Sequence, residues 1–224
     1  MISLFSGTPG SGKSLHVASY IYERCKRERV TIGNFDINRN VVPNSEFYFY
    51  WDNSEITVER LVKFSFEYFQ DNKFKEGKIL LILDEAQLLF NAREWSVKGR
   101  SDWILFFTQH RKLGYDIIMV AQFDRMIDKQ IRSLFEYEVV HRKLSNFGWK
   151  GKLLSIWTLN RLFVSVKIWY PLKERVGSEY FLYSKKYASL YDTRALFDLF
   201  IDYNESDLEE TEDDIDILDL SDVI

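Results

Sequence analysis

Short, uninterrupted apolar runs alternate with stretches in which apolar residues return every three or four positions, from the start of the chain to about residue 138. Ile2-Ser3-Leu4-Phe5, Val30–Phe35, Leu80-Leu81-Ile82-Leu83 and Ile117-Ile118-Met119-Val120-Ala121 are too short for helices and lack the alternation of a half-exposed strand. They predict strands buried on both faces, as in a parallel sheet. Phe47–Tyr50 predicts one more short strand, and Asp36–Asn40 a loop. Helical spacing runs from Ser14 to about Lys26 and from Trp103 to Arg111, stopped by Gly114. It is strongest after Thr57, where Val58, Leu61, Val62, Phe64, Phe66 and Phe69 form a broad apolar face that ends at Asp71-Asn72. This alternation predicts an α/β fold with a mostly parallel sheet and helices on both faces. Beyond Glu138 the period changes. Val139–Leu144, Leu153–Leu159 and Phe163–Trp169 predict an added hairpin or antiparallel strands.

With 224 residues and 46% hydrophobic content, the chain is one domain of ordinary to large size, or a domain with an appendage. Its single cysteine, Cys25, excludes an intrachain disulfide and is expected on a helix, buried or half-buried, with Lys26, Arg27 and Arg29 near enough to depress its pKa. The first strand occupies the very start, so no cleavable signal is expected; nor is a transmembrane helix, since no apolar run reaches the required length. The formal charge of −4 conceals an asymmetry: Asp202–Ile224 holds 11 acidic residues and no Lys or Arg, leaving 30 basic against 23 acidic residues in 1–201. This places a basic body at 1–201 and a solvated acidic tail at 202–224, in which Ile215, Ile217, Leu218 and Leu220 leave room for a docking segment.

The sharpest chemistry follows the first strand. Gly7-Thr8-Pro9-Gly10-Ser11-Gly12-Lys13-Ser14 is a complete G-x-x-x-x-G-K-S loop opening onto a helix at Leu15, which marks a nucleotide phosphate site. Side chains at Gly7, Gly10 and Gly12 are expected to obstruct its curvature. Lys13 would reach the β- and γ-phosphates and the Ser14 hydroxyl would ligate magnesium. The apolar run Leu80–Leu83 delivers Asp84 and Glu85 to the strand end where open α/β sheets bind ligands. Asp84 would hold magnesium through water, and Glu85 would polarise the attacking water. Gln122 ends the next strong strand; if that strand lies between the first and the acidic one, its amide would reach the γ-phosphate. Arg111 and Arg132 are candidates for an arginine supplied across a subunit boundary, with Arg111 preferred. ATP is favoured over GTP by the lack of an Asn-Lys-x-Asp motif. Cys25, His16, His110 and His141 have no metal-ligand spacing, and His16 reads as a packing or polar surface residue.

Arg142–Lys186 carries 10 basic and 2 acidic residues interleaved with nine aromatics, among them Phe163, Trp169, Tyr180, Phe181 and Tyr183. Basic groups with exposed rings suit single-stranded DNA, and equally an anionic membrane surface. A solvated strand edge with core aromatics has the same composition.

Taken together, Gly7–Ser14, Leu80-Leu-Ile-Leu-Asp-Glu-Ala-Gln87, His110-Arg-Lys-Leu-Gly-Tyr-Asp-Ile-Ile118 through Gln122, and Tyr191-Asp192-Thr193 resemble the zonular occludens toxin family, which includes the morphogenesis ATPases of filamentous phages. The likeness covers roughly residues 1–195 and implies a RecA-like P-loop nucleoside triphosphatase at the cytoplasmic face of the host membrane. It further implies a homo-oligomer, a hexamer by family resemblance, that uses ATP and Mg2+ to assemble and extrude virions containing single-stranded DNA, with phage coat or export proteins as partners. Members usually carry a transmembrane helix after this domain, where this chain has its acidic stretch; truncation or recruitment by an inner-membrane partner are the two readings. DNA translocation in plasmid transfer or segregation, and a non-hydrolysing nucleotide-gated interaction module, are the alternatives.

Overall fold

A computed structural model describes residues 1–91, 99–144 and 162–191. In chain order the elements are β1 (Ile2–Ser6), α1 (Lys13–Lys26), β2 (Thr31–Gly33), β3 (Tyr48–Tyr50), α2 (Val58–Asp71) and β4 (Ile79–Leu83). They continue with α3 (Arg100–Gln109), β5 (Tyr115–Val120), α4 (Lys129–Arg132), β6 (Tyr137–Lys143), β7 (Leu162–Trp169), β8 (Glu174–Leu182) and α5 (Lys185–Ala188). The strands form one sheet in the order β3-β2-β4-β5-β1-β6-β7-β8. Neighbours from β3 to β6 are parallel, whereas β6–β7 and β7–β8 are antiparallel.

The apolar runs sort themselves by residue parity, because successive side chains of a strand point to opposite faces. Ile2, Leu4, Leu81, Ile117 and Met119 pack with Leu61 of α2, Phe106 and Phe107 of α3 and Ile131 of α4. Phe5, Ile82, Ile118 and Val120 pack on the other side with Val17, Ala18, Ile21 and Cys25 of α1. All five residues of β4 are buried, each contributing roughly 1.5–3 kcal/mol of transfer free energy. Two helical layers thus clamp strands that have no polar face to offer water, and the strand ends meet in fixed register.

Local chemistry sets the boundaries. Thr57 caps α2 by accepting from the Arg60 N–H through its side chain, as the sequence predicts. Gly99, at φ 86, is the N-cap of α3, which starts at Arg100, three residues before Trp103, the residue at which the apolar pattern begins. Ser45–Phe47 is a 3-10 turn, so β3 starts at Tyr48. Cys25 is buried as expected, but burial pushes its thiol up to about 11 against the opposing effect of Arg24, the reverse of the predicted depression. β8 was not expected: its Glu-Arg-Val-Gly-Ser-Glu start carries no apolar run. The expected strand at 153–159 and the acidic stretch 202–224 lie outside the described residues. Among the described residues no helix is long and apolar enough to cross a membrane.

Candidate functional site

The loop between β1 and α1 is shaped by close approach. A Cβ on Gly7, at φ 144, would lie 2.5 Å from the His141 carbonyl oxygen; one on Gly12, at φ 94, would lie 2.8 Å from the Phe163 ring. Gly10 corrects the expectation: nothing lies within 4 Å of a Cβ there, and only its φ of 71 favours glycine. Gly12 is the N-cap of α1 and makes no side-chain cap bond, and no acidic residue occupies the first turn. The first intrahelical bond is donated by the His16 N–H to the Gly12 carbonyl, at 3.0 Å. The N–H groups of Lys13, Ser14 and Leu15 precede it and have no intrahelical acceptor, so the helix opens with a concentration of positive potential. The Ser11 hydroxyl is buried in the loop without a hydrogen-bond partner.

Lys13 folds back so that its Nζ donates to the Gly7 carbonyl at 2.7 Å. Burial lowers its pKa, while the charges of Glu85 and Asp84 oppose that shift. Burial raises the Asp84 carboxyl to about 6; the Glu85 charge adds to the rise, against a bond from the Glu85 N–H at 3.0 Å and the Lys13 charge. The structure therefore brings Lys13, Asp84 and Glu85 into one electrostatic group. Glu85 is exposed at φ 45 and ψ 47, a left-handed conformation that costs a non-glycine residue on the order of 1 kcal/mol. The Gln87 amide donates to its carboxylate.

Asn34, just past β2, is a residue that sequence reasoning missed. Its Nδ2 donates to the Asp84 carbonyl at 2.9 Å and its Oδ1 accepts from the Asp84 N–H at 2.6 Å. This two-bond clamp fixes the backbone of the acidic pair, and a third bond, donated by Asn34 Nδ2 to Asn53 Oδ1 at 2.6 Å, fixes the clamp. The only sequence signal was an amide at the end of an apolar run; its role required knowing that β2 lies beside β4.

β5 lies between β4 and β1, the condition set for Gln122. The Gln122 carbonyl accepts from the Gly7 N–H at 3.1 Å, joining the end of β5 to the loop. A cleft of 380 Å³ lined by Gly7, Thr8, Gln122 and Arg142 opens alongside. A larger cavity of 530 Å³, lined by His16, Arg24 and Glu179, includes none of these residues. The donor set at the loop, Ser14 hydroxyl and Asp84 carboxylate, is oxygen only, which fits magnesium completed by phosphate and water oxygens. Among the described residues no cluster of three or more His, Cys, Asp or Glu forms an all-protein metal cage.

His16 is buried rather than on the surface, with its Nδ1 2.7 Å from His141 Nε2. The Ser6 carbonyl, 3.2 Å from His141 Nδ1, can only accept, so His141 carries its proton on Nδ1 and accepts from His16 through Nε2. Burial holds both imidazoles below their ordinary pKa. The pair pins the first turn of α1 to β6 beneath the loop.

The two arginines fall elsewhere. Arg111 follows α3 and its guanidinium donates to Glu136 at 2.7 Å, in a group with Met1 and Asp116 at the opposite end of the parallel strands from the loop. Arg132 is half-buried in α4, its Nε unpartnered. The basic, aromatic region is partly committed to the fold. Lys173 bonds Glu138 at 3.1 Å, Lys167 and Lys186 lie over the Tyr137 and Tyr22 rings, and Phe163 stacks on Phe181 at 5.5 Å beside Gly12 instead of standing exposed. Tyr180, Leu182 and Trp169 remain exposed, and residues 145–161 of that region lie outside the described residues.

Comparison with known proteins places this geometry. The family model described as zonular occludens toxin matches residues 1–195. The chain is 30% identical to the gene 1 protein of Enterobacteria phage I2-2 over 169 residues, 72% of this chain and 46% of that protein. The chain thus spans less than half the length of that relative. Its fold is similar to the N-terminal domain of zonular occludens toxin from Neisseria meningitidis, with a TM-score of 0.52, 19% identity, and coverage of 85% of this chain and 98% of that one. It is also similar to the genome packaging NTPase B204 of Sulfolobus turreted icosahedral virus 2, solved with ATP-gammaS, at a TM-score of 0.50 and 14% identity, covering 80% and 95%.

Proposed function

The chain belongs to the zonular occludens toxin family, and from that premise we propose that it is a RecA-like, magnesium-dependent ATPase that drives assembly and extrusion of filamentous phage. The observation that carries the reading is the grouping of Lys13 with Asp84 and Glu85 before an uncapped helix start. The Gly7–Leu15 backbone receives phosphate oxygens, and the buried, unpartnered Ser11 hydroxyl gains a partner there. Lys13 exchanges its loop carbonyls for the β- and γ-phosphates. Ser14, and Asp84 through a water, would hold the magnesium ion, which would supply charge to offset that of the triphosphate. Burial raises the Asp84 carboxyl to about 6, and a cation beside it would favour its charged form. Glu85, exposed and turned out of the strand, polarises water for in-line attack, and the Gln122 amide contacts the γ-phosphate.

Arg111 lies too far from its own loop to act there, so it can serve only a neighbouring subunit of a ring, after release from Glu136. Phage coat or export proteins are the proposed partners, at the cytoplasmic face of the host membrane. Exposed Tyr180 and Trp169 and the basic residues around them offer contact to single-stranded DNA or to an anionic membrane surface.

Turnover and binding of ATP with magnesium test the enzymatic reading. Lys13→Ala should lose both, whereas Glu85→Gln should bind normally and turn over at least about a hundredfold more slowly. Glu85→Gln turning over at the parental rate would end the assignment. Nucleotide binding without turnover, even with DNA and partner proteins present, would instead establish a nucleotide-gated interaction module.

A further inference from the structure

We propose that Tyr183, at the start of the strap that crosses α1, is the ring on which the base of the bound nucleotide stacks. The inference rests on the nucleotide reading above and supplies what that reading lacks, a place for the nucleoside. Asp84, Glu85 and Gln122 end β4 and β5, so the terminal phosphate lies on that side of β1. A triphosphate bound by the loop and the first turn of α1 then directs its nucleoside away from β4, toward the β6–β8 side and the outside of α1.

That side is aromatic. Phe163 lies against Gly12 and stacks on Phe181 with planes 18° apart; Phe181 in turn packs on His16 at 4.9 Å. Phe163 and Phe181 are consumed by this packing. Tyr183, two residues beyond Phe181, follows the last residue of β8 and is 41% exposed.

The chain beyond it is anchored at intervals across α1. Tyr187 packs edge-on against Tyr22 at 5.6 Å, the Leu190 carbonyl accepts from the Asn38 N–H at 2.8 Å, and Tyr191 packs on Phe35 at 5.5 Å just past β2. The strap therefore runs from the end of β8, beside the Phe163–Phe181 stack on Gly12, over α1 to the end of β2, with one exposed ring at its start. A stacked tyrosine reads a flat π-face, not a hydrogen-bonding edge, so it provides affinity for a nucleobase without choosing adenine over guanine.

The test compares binding of the β,γ-imido analogue of ATP with binding of inorganic tripolyphosphate, both with magnesium, by calorimetry. The parent should prefer the nucleotide. Tyr183→Ala should weaken nucleotide binding about tenfold and leave tripolyphosphate binding unchanged, while Tyr183→Phe keeps the preference. The exposure of Tyr183 makes both variants fold, which thermal melting checks. A Tyr183→Ala protein that retains the parental preference, or a parent with no preference, overturns the inference and leaves the phosphate site standing. A parent that binds neither compound overturns the nucleotide reading and this inference with it.

Discussion

β4 and β8 belong to one sheet and obey opposite rules. Every residue of β4 is buried, whereas six of nine in β8 are exposed, so only β4 has its composition dictated by packing. The parallel part is enclosed between helical layers and ends in the acidic pair. The antiparallel addition is a sheet edge that faces outward with Val176, Tyr180 and Leu182. The two are nevertheless coupled beneath the loop, by Gly7 against the His141 carbonyl, Gly12 against Phe163, and the His16–His141 bond. The ends of the buried parallel strands are thus built into contact with an exposed sheet edge.

The largest expected effect breaks the enclosed half. Leu81→Ala should cost about 2–5 kcal/mol in urea unfolding, because the cavity cannot collapse between two helical layers. Coupling of the halves comes next. Gly12→Ala adds a methyl at positive φ into the Phe163 ring and should cost about 1–3 kcal/mol, with part recovered by Phe163→Leu. Strict additivity in that double-mutant cycle would show that the loop and the hairpin are independent.

The histidine pair gives a pH-dependent version of the same contact. Both imidazoles are held neutral by burial, so the unfolded chain binds more protons below pH 6.5. Their contribution to stability is complete above that pH and falls as the pH drops, by up to about 1.4 kcal/mol per unit for each group. His141→Asn should flatten the decline between pH 6.5 and 5; an unchanged slope would remove the pair from the account. The smallest effect is expected at the edge, where Tyr180→Ala should change stability by less than about 0.5 kcal/mol. A larger loss would mean that the edge is packed more tightly than its exposure indicates.

Legibility followed burial and backbone constraint. β1, β4 and β5 were readable because strands covered on both faces admit only apolar residues, and α2 because its cap and apolar stripe agree. β8 was not, since an edge strand with a glycine and charges resembles a loop. His16 read as a packing or polar surface residue, and only its partner 125 positions away decided for packing; Arg111 looked available because Glu136 was out of view in the sequence.

From the sequence alone came the alternation of buried strands and helices, the glycine-rich loop ending in Lys13-Ser14, and the placement of Asp84-Glu85 after an apolar run. Each is a local property, fixed by side-chain size, charge and spacing along a few residues. Only the tertiary structure decided that β5 separates β1 from β4, that Asn34 clamps Asp84, that Phe163 closes on Gly12, and that the strap from Tyr183 to Tyr191 crosses α1. Those relations join residues far apart in the chain, and they arise from the order in which strands pair, which no local pattern encodes.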